Sequence, residues 1–335
     1  MLQALLTSWG HQVKGWDFRD NRVGESAEVN IFLETLVPGA FSKARVNIYV
    51  PNVEWVLPTY MQHVAKMDLV LCKTQDALRI MARHSPRCVH TGFISEDHQM
   101  AGVGKVKTFF HLGGGSTVRG TQTILDTWRR FNIQEELTVV SSVVKDPKIR
   151  GVRVMKNLSA GELIREQNRN LFHLTPSEYE GFGMGLWESL SCGAVVITTD
   201  HPPMNEFLGC AGFLPPDSFG QQRLAQTAKV APESIADAVL WCNSLAEAEI
   251  DAISKRARTA WEQMKVTFEA NLKHVFDKTT TDLLTGGFNH GRVTRCAEKG
   301  LTEKRGASPS RRSPVTHSLR DPKIYRAAKV SGGHA

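Results

Sequence analysis

The chain has 335 residues, 41% of them hydrophobic, and this globular composition over that length predicts two domains with sizeable cores. No run of 18 apolar residues is present and the first residues lack a basic segment, so neither a membrane-spanning helix nor a signal peptide is expected. The formal charge is +7, but residues 286–335 hold 11 Lys and Arg against 3 Asp and Glu, which leaves −1 on the remainder. The basic character therefore belongs to the C-terminal segment, and no specific binding of nucleic acid is predicted.

Residues 285–335 are poor in apolar side chains and rich in Ser, Pro, Gly and Arg, which predicts a basic disordered tail. Two interpretations stay open: a weak contact with an anionic membrane or polyanion, or a solvated extension without a role. The six cysteines show no CxxC spacing, which argues against a zinc ribbon or a disulfide framework. We therefore expect a cytoplasmic protein, either free or peripheral at a membrane.

Strands alternate with helices over residues 1–98, which predicts a first α/β domain with a parallel sheet. The chain opens on a helical pattern, and HQVKGWDF (11–18) predicts a strand after it. Further strands are predicted in AEVNIFLETL, ARVNIYVPNVEW and MDLVLCKT, before an amphipathic helix in TQDALRIMARH. Since domains of this class open with a strand, we expect that the first strand of the sheet is missing; a variant with a smaller sheet is the alternative.

A second alternating series predicts a second domain over residues 105–280, after a linker, HQMAGVGK. KVKTFFHL begins its first strand, and Ser159 with Glu162 predicts a capping box at the start of a helix. Apolar residues at helical spacing predict two helices at the end of this domain, over Ile235–Leu245 and Ala257–Phe276.

A strand, a loop, a helix and another strand are predicted over residues 171–206, where side chains suited to chemistry are densest. Gly181 and Gly183 let the loop backbone approach a ligand, and free N–H groups at the helix start favour an anion such as phosphate. Glu180 lies in the loop, and Glu188 lies about 150° from the apolar stripe of the helix. Both can line a crevice at the strand ends. Alternatively, Glu188 only complements the helix dipole and Glu180 only decorates a loop.

This ordered string resembles the donor-site signature of GT-B glycosyltransferases of the retaining family 4 type. The resemblance rests on Pro176, Ser177, Glu180, Gly181, Phe182, Gly183, Glu188, Cys192, Gly193 and Asp200. It implies that Glu180 contacts hydroxyls of the donor sugar and that Glu188 contacts the nucleotide ribose. It also implies that the amides around Phe182, Gly183 and Met184 meet the sugar and diphosphate; some relatives carry His at the Met184 position.

A glycine-rich loop, Gly113, Gly114, Gly115 and Ser116, follows the first strand of the second domain. The spacing partly fits a Walker A loop, but the Lys-Ser/Thr pair is absent after Gly120, so that class of nucleotide triphosphatase is excluded. The loop is similar to the diphosphate loop of the same family, where an Arg and a Lys flank the bend. Arg119 takes the Lys position, and Gly114 takes the Arg position. The resemblance implies that Arg119 binds the diphosphate; the alternative is an exposed loop charge.

Two further groups of residues are candidates. Lys156, Asn157 and Leu158 end a strand where the family recognises the base of the donor. Asn52, Glu54 and Trp55 follow a strand of the first domain and are candidates for acceptor contacts, or are plain loop structure. The histidines show no HxH or HExxH spacing, so neither a metal nor another cofactor is expected.

The resemblance implies two Rossmann-like domains that face each other across a cleft, with the final helix packed back on the first domain. It implies a retaining transfer of a sugar from a nucleotide diphosphate sugar to a hydroxyl acceptor, with Glu180, Glu188 and Arg119 as catalytic residues. Two alternatives stay open: a catalytically impaired nucleotide-sugar-binding protein of this fold, and a GT-B sugar-nucleotide epimerase.

Overall fold

Two parallel β-sheets follow one another along the chain, which confirms the predicted pair of α/β domains. The computed structural model describes residues 1–17, 19, 25–145 and 147–280. The predicted tail over residues 285–335 lies outside the described residues, and the domain boundaries at 98 and 105 stay predictions.

The first sheet has four parallel strands in the order β1-β2-β3-β4. The strands and helices of the first domain are α1 (Leu2–Ser8), β1 (Ala27–Leu33), β2 (Ala44–Val50), α2 (Met61–Val64), β3 (Leu69–Cys72), α3 (Gln75–Met81) and β4 (Cys88–His90). The strand predicted over residues 11–18 is wrong, because residues 11–17 form no strand. His11 instead packs near the C-terminal end of the described residues, where its ring lies 5.6 Å from that of Phe276.

The second sheet has six parallel strands in the order β10-β9-β8-β5-β6-β7. Its elements are β5 (Val106–Gly114), α4 (Thr121–Arg130), β6 (Leu137–Ser141), β7 (Val152–Met155), α5 (Ala160–Arg169), β8 (Asn170–Thr175), α6 (Met184–Ser191), β9 (Val195–Thr199) and β10 (Gly212–Leu214). Strands β6 and β9 are buried along their whole length, as expected for strands covered on both faces. The predicted capping box is present. Ser159 Oγ accepts a hydrogen bond from the Glu162 backbone N–H, and the Glu162 carboxylate accepts one from the Ser159 backbone N–H.

The order of the six strands places a topological switch point between β5 and β8. The chain leaves β5 toward β6 and β7 on one side, and β8 continues toward β9 and β10 on the other. Ligands of doubly wound sheets bind in the crevice outside the carboxyl ends of the strands at such a point. A ligand is therefore expected to bind at the loops after β5 and β8.

A hairpin and two α-helices follow the second sheet: β11 (Pro216–Gln222), β12 (Ala225–Val230), α7 (Pro232–Ser244) and α8 (Glu247–His274), and a π-helical segment, Val275–Thr280, ends the described residues. The hairpin is not predicted by the sequence, because β11 is polar and almost wholly exposed and lacks the alternation of a half-buried strand. Helix α8 begins ten residues before the predicted start at Ala257. Its end packs as predicted: Phe268 and Leu272 join a buried cluster with β2 and β3 of the first domain.

The segment that joins the two sheets is bound to the second domain. Arg258 of α8 forms two hydrogen bonds with the Asp97 carboxylate, at 2.6 and 2.8 Å, and Trp261 Nε1 donates to Ser95 Oγ at 2.8 Å. This part of the connection is therefore held to α8 and does not act as a free linker.

Candidate functional site

The loops after β5 and β8 pack directly on each other at the switch point. The Glu178 amide donates a 2.9 Å hydrogen bond to the Val118 carbonyl oxygen. Gly120, with φ of +73°, lies so close to the second loop that a Cβ would come within 2.3 Å of the Pro176 carbonyl oxygen. A glycine is needed there for both reasons.

Arg119 and Glu180 meet between these loops. The Arg119 Nε lies 3.7 Å from Glu180 Oε1, and Ser177 Oγ donates a 2.7 Å hydrogen bond to the same oxygen. Both side chains remain partly exposed, at 28% for Arg119 and 14% for Glu180. The structure thus places a guanidinium and an oriented carboxylate side by side at the mouth of the crevice. A small cavity beneath them is lined by His111, Leu112, Arg119, Thr175, Ser177, Glu180, Gly185 and Leu186.

His111 forms the floor of this cavity and ties β5 to the neighbouring elements. Its Nδ1 lies 2.8 Å from the Leu174 carbonyl oxygen, which can only accept, so Nδ1 carries the proton and Nε2 accepts from the Thr121 hydroxyl at 2.8 Å. Burial lowers the pKa of His111 to about 4, so the imidazole is neutral near pH 7. At Gly113 a Cβ would lie 2.4 Å from Thr121 Oγ1, so the first glycine of the loop makes room for this pair.

The start of α6 faces the same crevice. Gly183 adopts a left-handed conformation with φ of +78°, and its carbonyl accepts the first helical hydrogen bonds, from Leu186 and Trp187. The N–H groups of Met184 and Gly185 come before the first residues that donate within the helix. They therefore have no acceptor inside the helix and can bind an anion. The Phe182 side chain is buried against Trp187 and in contact with other aromatic rings. Only its backbone is therefore placed to meet a ligand.

Two of the predicted acceptor residues reach across from the first domain to the Glu180 loop. A Cβ on Gly181 would lie 2.3 Å from Asn52 Oδ1 and 2.9 Å from Glu54 Oε1. The Asn52 amide is already engaged on both sides: Lys73 Nζ donates to its oxygen at 2.6 Å, and its nitrogen donates to Glu34 Oε1 at 2.6 Å. Trp55, the third candidate, is 55% exposed.

Glu54 is a buried carboxyl group beside a second carboxylate. Burial raises its pKa to about 7, and the negative charge of Glu180 adds to this shift. Its Oε2 is buried without a hydrogen-bond partner among the described residues. Protonation of Glu54 would therefore relieve its electrostatic repulsion with the Glu180 carboxylate.

The remaining candidates lie apart from Arg119 and Glu180. Glu188 is on the α5 side of α6, where its Oε2 accepts a 3.3 Å hydrogen bond from Gln167 Nε2. Lys156 and Asn157 are exposed after the end of β7, two strands from β5 at the same edge of the sheet. The roles assigned to all these residues stay predictions.

Sequence reasoning missed Glu34, Lys73 and His111. Lys73 is 8% exposed, and it immediately follows the fully buried strand β3, which is a signal for a lysine at the carboxyl edge of a sheet. Glu34 and His111 carry no such signal, because only the pairing of the strands brings them to the site.

Within the described residues, no three His, Cys, Asp or Glu side chains are grouped to hold a metal ion. None of the helices in that part of the chain has the length and apolar character needed to cross a membrane.

The family model described as "Glycosyl transferases group 1" matches residues 144–240. This segment runs from the end of β6 into α7 and includes Glu180 and Glu188, so the resemblance noted from the sequence is confirmed for it. The glycine loop with Arg119 lies before the matched segment. No curated protein matches the chain in sequence.

Solved GT-B glycosyltransferases share the fold. A pneumococcal O-GlcNAc transferase, GtfA, in complex with UDP and GlcNAc has a TM-score of 0.55 at 16% identity, over 84% of this chain and 60% of its own. Anabaena HepE in complex with UDP and glucose has a TM-score of 0.56 at 15% identity, over 71% and 73%. A glycosyltransferase from Rickettsia africae has a TM-score of 0.56 at 12% identity, over 76% and 77%.

The first two solved structures in this comparison are longer than the matched part: this chain spans 58% of a chain in the GtfA/B complex and 60% of GtfA. At these identities the likeness establishes the GT-B fold.

Proposed function

We propose that this chain transfers a sugar from a nucleoside diphosphate sugar to a hydroxyl acceptor with retention of configuration. The observation that carries the proposal is the contact of Arg119 with Glu180 at the switch point, next to the first amides of α6. A cation and free backbone N–H groups suit a diphosphate, and an oriented carboxylate suits sugar hydroxyls. UDP, the nucleotide in the GtfA and HepE complexes, is the first nucleotide to test.

In the proposed mechanism, charge builds up on the diphosphate as the bond to the sugar breaks. Arg119 and the amides of Met184 and Gly185 stabilise that charge, with no metal required. The leaving phosphate takes the proton of the acceptor hydroxyl on the same face of the sugar, which explains retention without a protein nucleophile. Glu54 faces the Glu180 loop from the first domain and supplies a polar contact for the acceptor.

Isothermal titration of the folded chain with UDP, GDP, ADP and their glucose and N-acetylglucosamine forms tests donor binding. Arg119→Ala should weaken binding by about tenfold or more, since a hydrogen bond to a charged group contributes about 1.5–3 kcal/mol. Arg129→Ala is the matched control, because Arg129 is exposed on α4 and pairs with Asp126. If the folded chain binds none of these ligands, the proposed function is wrong.

Release of the nucleoside diphosphate in the presence of candidate sugar acceptors tests transfer. Glu180→Gln should abolish most turnover, and the fold should persist because the Gln oxygen can still accept from Ser177. Glu178→Gln is the control in the same loop, since Glu178 pairs with Lys229 instead. The anomeric configuration of the product, read by NMR, then tests retention.

A specific observation favours a second candidate, a nucleotide-sugar-binding protein with impaired transfer. Gly114 stands where the resembling family has an arginine, so the loop supplies one cation where the family supplies two. If the wild-type chain binds a donor but shows no turnover with any acceptor, and Glu180→Gln likewise shows none, this candidate is supported over the enzyme.

A further inference from the structure

We propose that Gln167 and His98 are positioning residues that hold Glu188 for the ribose of the bound nucleotide. The inference rests on the proposed function and on the ribose contact that the sequence resemblance implies for Glu188. It adds two side chains, one on α5 and one on the segment between the sheets, that never touch the ligand themselves.

The three side chains are joined by hydrogen bonds that lead from the buried His98 and Gln167 to the partly exposed Glu188. Gln167 is fully buried, and its Nε2 donates to Glu188 Oε2 at 3.3 Å. On its other side, Gln167 Oε1 lies 2.6 Å from Nδ1 of His98, whose side chain is 8% exposed. A polar chain of this kind is costly to bury unless each member is paired, and here each member has a partner.

The direction of the chain follows from what each group can donate. The Glu188 carboxylate only accepts, so the Gln167 amide must turn its nitrogen toward it. That orientation turns Gln167 Oε1 toward His98, and since an amide oxygen only accepts, His98 carries its proton on Nδ1. The carboxylate thus fixes the amide, and the amide fixes the tautomer of the imidazole.

His98 is anchored so that it can serve as the fixed end of this chain. Its backbone N–H donates to Ser191 Oγ at 2.9 Å, and its carbonyl accepts from Asn168 Nδ2 at 2.6 Å. Ser191 in turn donates to the Glu188 carbonyl at 2.7 Å. The side chain and the backbone of Glu188 are therefore both linked to His98.

Only one oxygen of the Glu188 carboxylate takes part in these hydrogen bonds. Oε1 accepts no hydrogen bond from the described residues, and 15% of the side chain stays exposed. A carboxylate held by one oxygen and open at the other is oriented to accept from ribose hydroxyls. If Gln167 were lost, Glu188 would keep its charge but lose its fixed direction.

The test compares a nucleotide that has ribose hydroxyls with one that lacks them. UDP, GDP and ADP are titrated into the wild-type chain, and the one that binds is paired with its 2′,3′-dideoxy analogue. Gln167→Leu, of similar volume, should weaken binding of the ordinary nucleotide about tenfold, the loss expected for one hydrogen bond to a charged group. Binding of the dideoxy analogue should change less than about twofold, because this analogue has no ribose hydroxyls for Glu188 to bind.

A pair of His98 variants gives the same test without a change in the core of α5. His98→Ala removes the donor and should weaken nucleotide binding selectively, whereas His98→Asn places an amide N–H near the position of Nδ1 and should restore it. This pair decides the matter if Gln167→Leu does not fold.

The outcomes separate the inference from the function on which it rests. Equal weakening for both nucleotides indicates a structural role and overturns the positioning role, as does wild-type affinity in Gln167→Leu. If no nucleotide binds the folded wild-type chain, the proposed function itself fails and the inference falls with it.

Discussion

Gly181 lies in van der Waals contact with Asn52 across the two domains, so closely that a Cβ would come within 2.3 Å of the Asn52 amide oxygen. That oxygen cannot move away freely, because it accepts a 2.6 Å hydrogen bond from the buried Lys73. The glycine of the donor-like motif is thus also one of the points where the first domain contacts the second. A single position links the predicted donor and acceptor sides.

Gly181→Ala should destabilise the chain by about 1–3 kcal/mol, the usual cost of an added methyl group in a tightly packed contact. Urea unfolding measures this loss. Gly161→Ala is the matched control: no atom lies within 4 Å of a Cβ there, and an alanine inside α5 should stabilise the helix by up to about 1 kcal/mol. Unchanged stability in Gly181→Ala would mean that the two domains do not meet at this residue in solution.

A second link between the domains is electrostatic. The Glu206 carboxylate accepts hydrogen bonds from the amides of Gln75 and Asp76, at 2.8 and 2.7 Å, at the start of α3 in the other domain. Glu206→Ala removes both and should cost about 1–3 kcal/mol, with an increase in the radius of gyration measured by small-angle scattering. Glu262→Ala, on the exposed face of α8, should change neither quantity by a comparable amount. A Glu206→Ala chain as stable and compact as wild type would contradict the link.

The elements that could be predicted from sequence are those in which local pattern and burial agree. Strands β6, β8 and β9 are apolar runs bounded by loops, and Ser159 with Glu162 marks the start of α5 without any tertiary information. The segment 11–18 alternates like a strand in sequence, but its described residue Val13 packs in an apolar cluster with Phe268 and Leu272 of α8. Strand β11 has the opposite difficulty: its polar sequence is stabilised as a strand only by pairing with β12.

The candidate site shows the same division. The loop with Glu180 and the loop with Arg119 were predicted because glycines and charged residues follow apolar strands, and the strand order explains why these loops meet. The link between Lys73 and Asn52 could not be predicted, since it depends on the register of β2 and β3 and on a turn after β2. Likewise, nothing in the local sequence of His98 indicates that Gln167 and Glu188 lie beside it.

Glu54 should make stability fall as the pH rises. Its pKa is about 7 in the folded chain against 4.5 for the ordinary side chain, so between these values the folded state holds a proton that the unfolded state has lost. Stability is therefore highest below about pH 4.5 with respect to this group, and is lost as the pH rises through 7. Burial is the main cause and the Glu180 charge adds to it.

Glu54→Gln removes this titration and keeps the shape of the side chain. Relative to Glu54→Gln, the wild type should lose about 1–3 kcal/mol of unfolding free energy between pH 5 and pH 8, measured by urea unfolding at each pH. The comparison cancels His111 and His173, whose lowered pKa values act in both proteins. Parallel pH profiles for the two proteins would show that Glu54 is not buried as described.

If the loop with Arg119 binds the diphosphate as proposed, Gly114→Arg should strengthen that binding, because it adds the second cation that the resembling family has at this position. A Cβ at this position meets no atom within 4 Å, but φ is +58°, so a non-glycine residue costs about 1–2 kcal/mol of backbone strain. That strain is the same in the free and the bound chain, so it lowers the stability of the fold but not the affinity. A charge-assisted hydrogen bond to the diphosphate should therefore raise the affinity about tenfold. Gly114→Ala carries the same strain without the charge and is the control.

Titration with UDP at two salt concentrations distinguishes the two variants, since only the arginine should make binding more sensitive to salt. If Gly114→Arg binds no better than Gly114→Ala at low salt, the diphosphate does not pass this loop, and the assignment of Arg119 fails with it.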